Sequence, residues 1–322
     1  MKAAVIYENG GPDVLRYEDV PDPECPDGCV VIDVEAISIE GGDLLARAGS
    51  PPPSVPHIVG YLAAGPVIEV GAGVDDRAVG DRVVAINAAG SHASRRAVPA
   101  MATWPIPEGL DAARAASVPV ALGTAYECLF TAGNLEAGQT ALVHAGAGGV
   151  GVAAIQLAKQ AGATVISTAS SDEKLERLKE LGLDHGINYA SENFVERTRE
   201  LTDGRGADVI LDSVGGKNLV DSVAALAYGG TLVSVGESAR AGSNVEAREL
   251  WGQNQTLRGV FLGGAMLAEY PRIHAMIADM FERVASGELR VEIARTFPLA
   301  EASAAHAYIE SRQAFGRVVM TP

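Results

Sequence analysis

Residues 140–160 read TALVHAGAGGVGVAAIQLAKQ, and this stretch decides the fold. An apolar run typical of a buried strand leads into Gly146-x-Gly148-x-x-Gly151, and an amphipathic helical pattern continues over residues 152–160. The first glycine permits a tight turn, the second lets the backbone approach a pyrophosphate, and the third allows close helix packing. The amide groups at the start of the helix attract phosphate.

We therefore predict that this loop binds a nucleotide. A glycine-rich loop without a ligand is the alternative, because the motif alone is weak evidence, but the order of strand, turn and helix favours the nucleotide. The predicted binding residues are Gly146, Gly148, Gly149, Val150 and Gly151.

Ser170 and Lys174 indicate which nucleotide is bound. The strand predicted over residues 164–168 should end near the adenosine ribose, where an Asp or Glu would bind the 2′-hydroxyl of NAD. The sequence instead has Ser170 and Ser171, and Lys174 follows one helical turn later. Hydroxyl and ammonium groups bind a 2′-phosphate, so we predict NADP(H).

Two features of this segment have other interpretations. Ser170 and Ser171 could cap a helix predicted over residues 172–181, and capping is compatible with phosphate binding. Tyr189 could flank the adenosine or be an ordinary half-buried loop residue.

The strand and helix patterns predict an α/β fold with two kinds of domain. Short β-rich runs separated by Gly, Pro and Asp predict a mostly antiparallel β domain in the first hundred residues. From about residue 111, helical stretches alternate with buried-type strands, which predicts a doubly wound parallel sheet. A helix predicted over residues 270–286 precedes a return to the first domain. The predicted strands are 3–7, 30–34, 82–85, 140–144, 164–167, 208–212, 231–235 and 317–320.

Composition limits the class of protein. The 322 residues, 48% of them hydrophobic, favour two domains, and the formal net charge of -16 argues against binding nucleic acid or an anionic membrane. No run of 18 apolar residues and no signal-peptide pattern occurs, so we predict a cytoplasmic protein. Cys25, Cys29 and Cys128 make neither a disulfide framework nor a four-ligand zinc cluster.

Further motifs extend over nearly the whole chain. They are Gly80-Asp81-Arg82-Val83, Gly123-Thr124-Ala125-Tyr126, Asp212-Ser213-Val214-Gly215-Gly216, Gly229-Gly230-Thr231-Leu232-Val233 and Phe315-Gly316-Arg317-Val318-Val319. In order and spacing, with the glycine loop, they resemble the medium-chain dehydrogenase/reductase family, most closely its zinc-independent quinone oxidoreductase and enoyl reductase branch.

This resemblance implies a domain organisation. Residues 1–118 and 264–322 would form a GroES-like, mostly-β catalytic domain, and residues 119–263 a Rossmann domain that binds NADP(H). The active site would lie in the cleft between them. The resemblance also implies a homodimer joined through the Rossmann domains, in the region of residues 247–260.

The resemblance also places residues near the nicotinamide half of the cofactor. Each has a structural alternative, such as a turn glycine or a core aromatic residue. These residues are Thr124, Gly236, Phe261, Leu262, Gly263, Phe315 and Arg317.

Two segments bear on metal binding. Zinc-dependent relatives hold the metal with Cys and His, whereas Glu40 aligns with the first ligand and Gly60-Tyr61-Leu62 with the Gly-His-Glu that carries the second. A lone carboxylate without His or Cys partners is a poor zinc site, so we predict no metal.

Glu40 and Tyr61 are the candidate catalytic residues. A protonated Glu40 could donate to a substrate carbonyl or protonate a carbon, but it could equally be a solvated or ion-paired loop carboxylate that takes no part in the chemistry. Tyr61 could donate a proton or serve only in packing. We predict hydride transfer from NADPH to a small-molecule acceptor, either a quinone or an activated C=C of an enone or enoyl thioester. The alternatives are a redox-neutral cyclase or isomerase that uses Glu40, and a non-catalytic NADPH sensor.

Overall fold

The computed structural model describes residues 1–49 and 51–322. The chain divides into two compact units, the first formed by Met1–Pro119 with Ala278–Pro322 and the second by Val120–Ile277. The boundary at which the chain returns to the first unit follows residue 277 and lies inside the helix Tyr270–Ala285. The sequence placed this boundary before residue 264.

Contacts of the early part of this helix explain the difference. A Cβ on Gly123 would lie 3.3 Å from a methyl of Leu262 and 3.5 Å from Cγ1 of Ile277, so both side chains pack within the second unit. Arg272 also donates to Glu127 at 2.6 Å. A helical pattern in a sequence is continuous and does not show that its two halves pack against different partners.

Strands β1–β17 and helices α1–α11 are numbered in chain order. The strands are β1 Lys2–Ile6, β2 Arg16–Asp19, β3 Cys29–Asp33, β4 Ala36–Ser38, β5 His57–Ile58, β6 Leu62–Val70, β7 Arg82–Ile86, β8 Arg95–Pro99, β9 Thr103–Pro105, β10 Thr140–Val143, β11 Thr164–Ala169, β12 His185–Asn188, β13 Ala207–Asp212, β14 Leu226–Ser234, β15 Thr256–Gly259, β16 Ile293–Pro298 and β17 Arg317–Thr321. The helices are α1 Gly41–Gly49, α2 Ala112–Ala116, α3 Val118–Tyr126, α4 Gly149–Gln160, α5 Asp172–Lys179, α6 Phe194–Leu201, α7 Lys217–Ala225, α8 Ala247–Trp251, α9 Leu262–Ala268, α10 Tyr270–Ala285 and α11 Ala302–Glu310.

The first unit is mostly antiparallel β-structure. One sheet has the order β16-β17-β4-β6-β3-β8, with β7 paired to β6 and β9, and a three-stranded sheet has the order β2-β1-β5. Apolar side chains from these strands form one buried cluster, because alternate residues of each strand point to the same face. Strand β17 pairs with β4 in the register Val319↔Ser38, which brings the late chain beside residues 38–40.

The second unit has a doubly wound parallel sheet with the order β12-β11-β10-β13-β14-β15. All six strands are parallel, but β11 and β12 are added on one side of β10, whereas β13, β14 and β15 are added on the other side. The carboxyl ends of β10 and β13, at this switch point, form a binding crevice. The predicted α/β fold, with a mostly antiparallel β unit and a doubly wound parallel unit, is confirmed.

Most predicted elements lie within a few residues of their observed bounds. The helix expected over residues 172–181 is Asp172–Lys179, and the one expected over residues 270–286 is Tyr270–Ala285. Strand β14 begins at Leu226, five residues before the predicted start at 231. No helix in the described ranges combines the length and apolarity needed to cross a membrane.

Candidate active site

The glycine loop of the second unit connects β10 to α4. Helix α4 begins at Gly149, after Gly148 as N-cap, and no side chain caps it. The loop is closed instead by its backbone, because the Gly148 amide donates to the Ala145 carbonyl at 2.9 Å. The remaining amides of the first helical turn are thus available to an anion.

The three motif glycines have different surroundings. A Cβ on Gly146 would lie 2.0 Å from the Ser167 hydroxyl oxygen, and one on Gly151 would lie 2.4 Å from the Ala145 carbonyl oxygen. A Cβ on Gly148 would meet only that carbonyl, at 3.3 Å. Packing therefore requires the first and third glycines, whereas the second keeps open the space that a pyrophosphate would occupy. This cradle fits a dinucleotide.

The side chain of His144, at the start of the glycine loop, is fixed by two hydrogen bonds, a role that the sequence did not reveal. Its Nε2 lies 3.0 Å from the Ser222 hydroxyl and its Nδ1 lies 3.2 Å from the Thr168 hydroxyl. Because Ser222 donates to the Asn218 carbonyl, it accepts from Nε2–H, and Nδ1 accepts from Thr168. Burial lowers the pKa of His144 to about 3, so the ring is neutral.

The residues predicted at the adenosine ribose lie at the carboxyl end of β11. Ser171 caps α5 by accepting from the Lys174 amide at 3.4 Å, so the capping interpretation holds for Ser171. Ser170 precedes this cap, and the backbone amide of Tyr189 donates to the Ala169 carbonyl at 3.1 Å, which places Tyr189 beside it.

The acid that follows Ser170 and Ser171 is Asp172, and its carboxylate is hydrogen-bonded to another side chain. Its carboxylate accepts from the Asn188 side-chain amide at 2.8 Å. The Lys174 side chain is partly buried, and this burial lowers its pKa. The local chemistry is therefore hydroxyl and ammonium groups beside two acids, Asp172, which is bonded to the Asn188 amide, and Glu173, whose charge acts on Lys174.

The residues predicted at the nicotinamide end divide between the units. Within the second unit, Thr124 lies in α3 and is buried, and its hydroxyl forms no hydrogen bond within residues 1–49 and 51–322. Gly236 follows β14, where a Cβ would lie 2.9 Å from the Ser213 carbonyl. Phe261 is the exposed N-cap of α9, and Leu262 and Gly263 form the first turn of that helix; the Leu262 side chain packs into the unit instead of lining a surface.

Phe315 and Arg317 belong to the first unit, and both are buried. The Arg317 guanidinium donates to the Ser38 hydroxyl at 2.8 Å and the Ile39 carbonyl at 2.7 Å, and it forms an ion pair with Glu40. Its contact with the cofactor stays a prediction, and the structure adds its bonds to residues 38–40.

Glu40 is a buried, ion-paired carboxylate. Its side chain is 3% exposed, and Oε1 accepts from Arg317. Burial raises the pKa of Glu40 to about 7, and the Arg317 guanidinium opposes this rise. The structure therefore shows an ion-paired and not a solvated carboxylate, and the role of Glu40 as a proton donor stays a prediction.

Asp43 connects the segments that carry the two candidate catalytic residues, and the sequence did not single it out. One carboxylate oxygen accepts from the Glu40 amide at 2.8 Å, and the other accepts from the Tyr61 amide at 3.1 Å. Burial raises the pKa of Asp43 to about 8. Its partner at Tyr61 is 18 residues away, so no local pattern could reveal the contact.

The side chain of Tyr61 lies over Gly42. A Cβ on Gly42 would lie 2.4 Å from the ring and 2.6 Å from the hydroxyl oxygen. This hydroxyl has no hydrogen-bond partner in the part of the chain that the structure describes. Burial, with the charges of Asp43 and Glu40, raises the pKa of Tyr61, so the hydroxyl keeps its proton at neutral pH.

Arg96 holds the backbone around Tyr61 from the opposite side. Its guanidinium donates to the carbonyls of Tyr61 and Ala89, both at 2.7 Å, and makes longer bonds to three other carbonyls of this loop. Burial lowers the pKa of Arg96 to about 9, and Asp43 opposes this shift. A fully buried arginine bound to carbonyls fixes the path of a loop.

No group of three or more His, Cys, Asp and Glu side chains in residues 1–49 and 51–322 has a geometry that could hold a metal ion. The buried His92 contacts His306 with 2.9 Å between their Nε2 atoms. Arg47 donates to Nδ1 of His306, so that histidine donates from Nε2. Both rings are used in structural hydrogen bonds.

Comparison with known proteins places the chain in a family. Residues 26–108 match the model described as "Alcohol dehydrogenase GroES-like domain", and residues 149–279 match "Zinc-binding dehydrogenase". The chain is 35% identical to the 2-haloacrylate reductase of Burkholderia sp. over 331 aligned positions, which cover 99% of this chain and 98% of the relative. The chain belongs to the medium-chain dehydrogenase/reductase family.

Other members of this family also match the chain over nearly its whole length. The quinone oxidoreductase of Pseudomonas aeruginosa is 34% identical, with 97% of each chain covered. Among solved structures, a mycobacterial protein in complex with NADPH has a TM-score of 0.95 at 34% identity, and the Escherichia coli quinone oxidoreductase in complex with NADPH has 0.95 at 31%, each over 100% of both chains. The predicted membership of the quinone and enoyl reductase branch is confirmed, and this family member is an NADPH-dependent oxidoreductase.

Proposed function

We propose that the chain is a zinc-independent reductase that transfers a hydride from NADPH to a quinone or to an activated C=C of an enone or enoyl compound. One observation carries this proposal: the position that aligns with the first zinc ligand holds Glu40 in an ion pair with Arg317, while the Tyr61 hydroxyl lies nearby without a protein partner. The site offers a proton and a hydrogen bond in place of a Lewis acid.

The pairing of Glu40 supports zinc independence. If Glu40 bound a metal, Arg317 would be left as a buried charge without its counter-ion, which is strongly unfavourable. The nearest acid, Asp43, uses both oxygens to accept backbone amides. The description "Zinc-binding dehydrogenase" belongs to the family as a whole and does not refer to the side chains of this site.

The second unit offers the groups that would hold the cofactor. The amides of the first turn of α4 and the open side of Gly148 would bind the pyrophosphate, and Ser170 with Lys174 would bind the 2′-phosphate. Thr124 brings a hydroxyl without a protein partner in the described residues. NADPH, when bound, supplies the hydride.

The first unit offers the groups that would act on the acceptor. Reduction of a quinone or conjugated carbonyl places negative charge on an oxygen, and a donor directed at that oxygen lowers the barrier. Tyr61 fits this role, because its raised pKa keeps the hydroxyl protonated. Arg317 neutralises the charge of Glu40, which would otherwise repel the developing oxyanion.

We also propose that the protein is a homodimer joined along β15. This strand is at an edge of its sheet, and all four of its residues are exposed. Trp251 and Tyr228 are also exposed, at 73% and 69%. An uncovered edge strand favours pairing with a second chain. Light scattering should give twice the chain mass for the wild type, and Leu257→Lys should shift the protein toward monomer; a monomeric wild type would contradict the proposal.

The function is tested by following NADPH oxidation with quinones, enones, enoyl thioesters, 2-haloacrylates and simple aldehydes, each with and without EDTA. We expect turnover with a quinone or an activated C=C, unchanged by EDTA. Loss of turnover on chelation would overturn zinc independence. NADPH binding without oxidation of the cofactor by any acceptor would favour the redox-neutral alternative, and Glu40→Gln would then be tested for loss of product.

A further inference from the structure

Asp43 is fully buried, and in the described chain it forms no ion pair. Its carboxylate is satisfied by two backbone amides, those of Glu40 at 2.8 Å and Tyr61 at 3.1 Å. Burying a carboxylate is unfavourable, and this burial raises the pKa of Asp43 to about 8, although the charges of Arg317 and Arg96 oppose the rise. An arrangement with such a cost calls for a reason.

The first of these contacts is a helix cap. Asp43 is the third residue of α1, and a carboxylate there commonly accepts from the amide of the residue before the helix, here Glu40. Capping does not require burial, however. Asp111 caps α2 from an exposed position by accepting from the Arg114 amide at 2.9 Å.

The second contact is different in kind, because Tyr61 lies 18 residues away and outside the helix. Its amide donates to Asp43, and its carbonyl accepts from Arg96 at 2.7 Å. The backbone of Tyr61 is thus held from both sides by buried side chains, the Asp43 carboxyl group at its amide and the Arg96 guanidinium at its carbonyl. Through the two oxygens of one carboxylate, Glu40 and Tyr61 are held in a fixed relation.

We propose that Asp43 is a positioning residue that fixes the backbone of Tyr61 relative to Glu40, so that the Tyr61 hydroxyl points at the oxygen of the acceptor. This inference rests on the proposed function, since it gives Tyr61 the donor role. Asp43 itself touches neither the acceptor nor NADPH; it acts through Tyr61.

A double-mutant cycle tests the proposal. Asp43→Asn leaves one acceptor oxygen for two amide donors, so one bond is lost and Tyr61 is released. With an acceptor that the wild type reduces, we expect kcat to fall about 10- to 100-fold and the KM for NADPH to stay within about twofold. In a Tyr61→Phe background the same change should lower kcat less than about threefold, because the donor is already absent. Equal effects in both backgrounds would overturn the proposal.

A second readout is independent of turnover. The charged groups near the Tyr61 hydroxyl are Asp43 and Glu40, which raise its pKa, while Arg317 faces Glu40 and Arg96 holds the Tyr61 carbonyl. Removing the Asp43 charge should lower the pKa of Tyr61, measured as the tyrosinate absorbance that Tyr61→Phe abolishes. An unchanged titration would contradict the contact between the two residues. If the wild type turns over none of the acceptors, the proposed function is refuted. The Tyr61 titration does not depend on turnover, so it would still test the contact between Asp43 and Tyr61.

Controls separate positioning from misfolding. Asp81 also accepts a backbone amide, that of Ala78 at 2.8 Å, but at the surface, so Asp81→Asn should leave kcat unchanged. Emission of Trp104, which is 1% exposed, reports whether the first unit is folded. If Asp43→Asn exposes Trp104, the cycle is repeated with Arg96→Lys, which weakens the hydrogen bond to the Tyr61 carbonyl. The effects of Arg96→Lys and Tyr61→Phe on kcat must then be non-additive in the same way.

Discussion

The Tyr61 ring occupies the space that a side chain on Gly42 would need, since a Cβ there would lie 2.4 Å from the ring and 2.6 Å from the hydroxyl oxygen. Gly42→Ala should therefore displace the hydroxyl without changing any charge. We expect kcat to fall about tenfold or more, toward the value of Tyr61→Phe, with NADPH affinity unchanged. Gly41→Ala is the matched control, because a Cβ there has nothing within 4 Å. Equal activity of both variants would argue against Tyr61 as the donor.

Substitutions at two glycines of the loop should have separate effects, one on NADPH binding and the other on the free energy of unfolding. Gly148 has φ -80° and ψ 169°, which alanine adopts readily, and its Cβ would meet only the Ala145 carbonyl oxygen, at 3.3 Å. Gly148→Ala should thus weaken NADPH binding at least about tenfold, or about 1.4 kcal/mol, with unfolding free energy within about 0.5 kcal/mol of wild type. Gly151→Ala should instead destabilise the protein by about 1–3 kcal/mol, because its Cβ would overlap the Ala145 carbonyl. Calorimetric binding and urea unfolding measure the two effects, and the opposite assignment would contradict the roles of the two glycines.

Ser170 should set the choice between the two dinucleotides. Ser170→Asp places a carboxylate where the 2′-phosphate would lie, so we expect the KM for NADPH to rise at least about tenfold and the ratio of NADPH to NADH efficiency to fall further. Ser286→Asp, an exposed position in the first unit, adds the same charge elsewhere and controls for net charge. Equal effects of both variants would mean that Ser170 does not face the phosphate.

Substitutions of Glu40 and Arg317 should have coupled effects on the free energy of unfolding. Arg317→Gln leaves a buried carboxylate without its counter-ion, and we expect a loss of about 3–5 kcal/mol in the free energy of unfolding. Glu40→Gln combined with Arg317→Gln should cost less than the sum of the single changes, because neither charge is then stranded. Urea unfolding of the four proteins gives the coupling, and additive losses would contradict the ion pair.

His144 should make stability depend on pH. Its pKa is about 3 in the folded protein against an ordinary value of 6.5, so the unfolded chain binds the extra proton between these values. Stability from His144 is therefore complete above pH 6.5 and is lost as pH falls toward 3, by about 1.4 kcal/mol per pH unit. In His144→Gln, whose amide can both donate and accept, the difference in unfolding free energy between neutral and mildly acidic buffers should shrink by this amount. An unchanged difference would mean that His144 is not neutral and buried.

The sequence predicted the parallel sheet and most element bounds because these depend on local patterns. The run that ends at residue 144, the glycine turn and the helix that follows are contiguous, so their order was visible. The ion pair of Arg317 with Glu40 was not visible in the sequence, because nothing local shows that the pairing of β17 with β4 brings together residues 277 positions apart. Asp43 and Arg96 were missed for the same reason, since their partners at Tyr61 are distant in sequence.

The discontinuity of the first unit has a consequence for synthesis on the ribosome. The second unit is the contiguous run Val120–Ile277, so all of its strands have been made before residue 278 is added, and it can fold while translation continues. The first unit must wait for β17, and until then the edge of β4 has no partner and Glu40 has no counter-charge. The newly made first segment therefore exposes strand edges for the longest time, which makes it the part of the chain with the greatest need for chaperone protection.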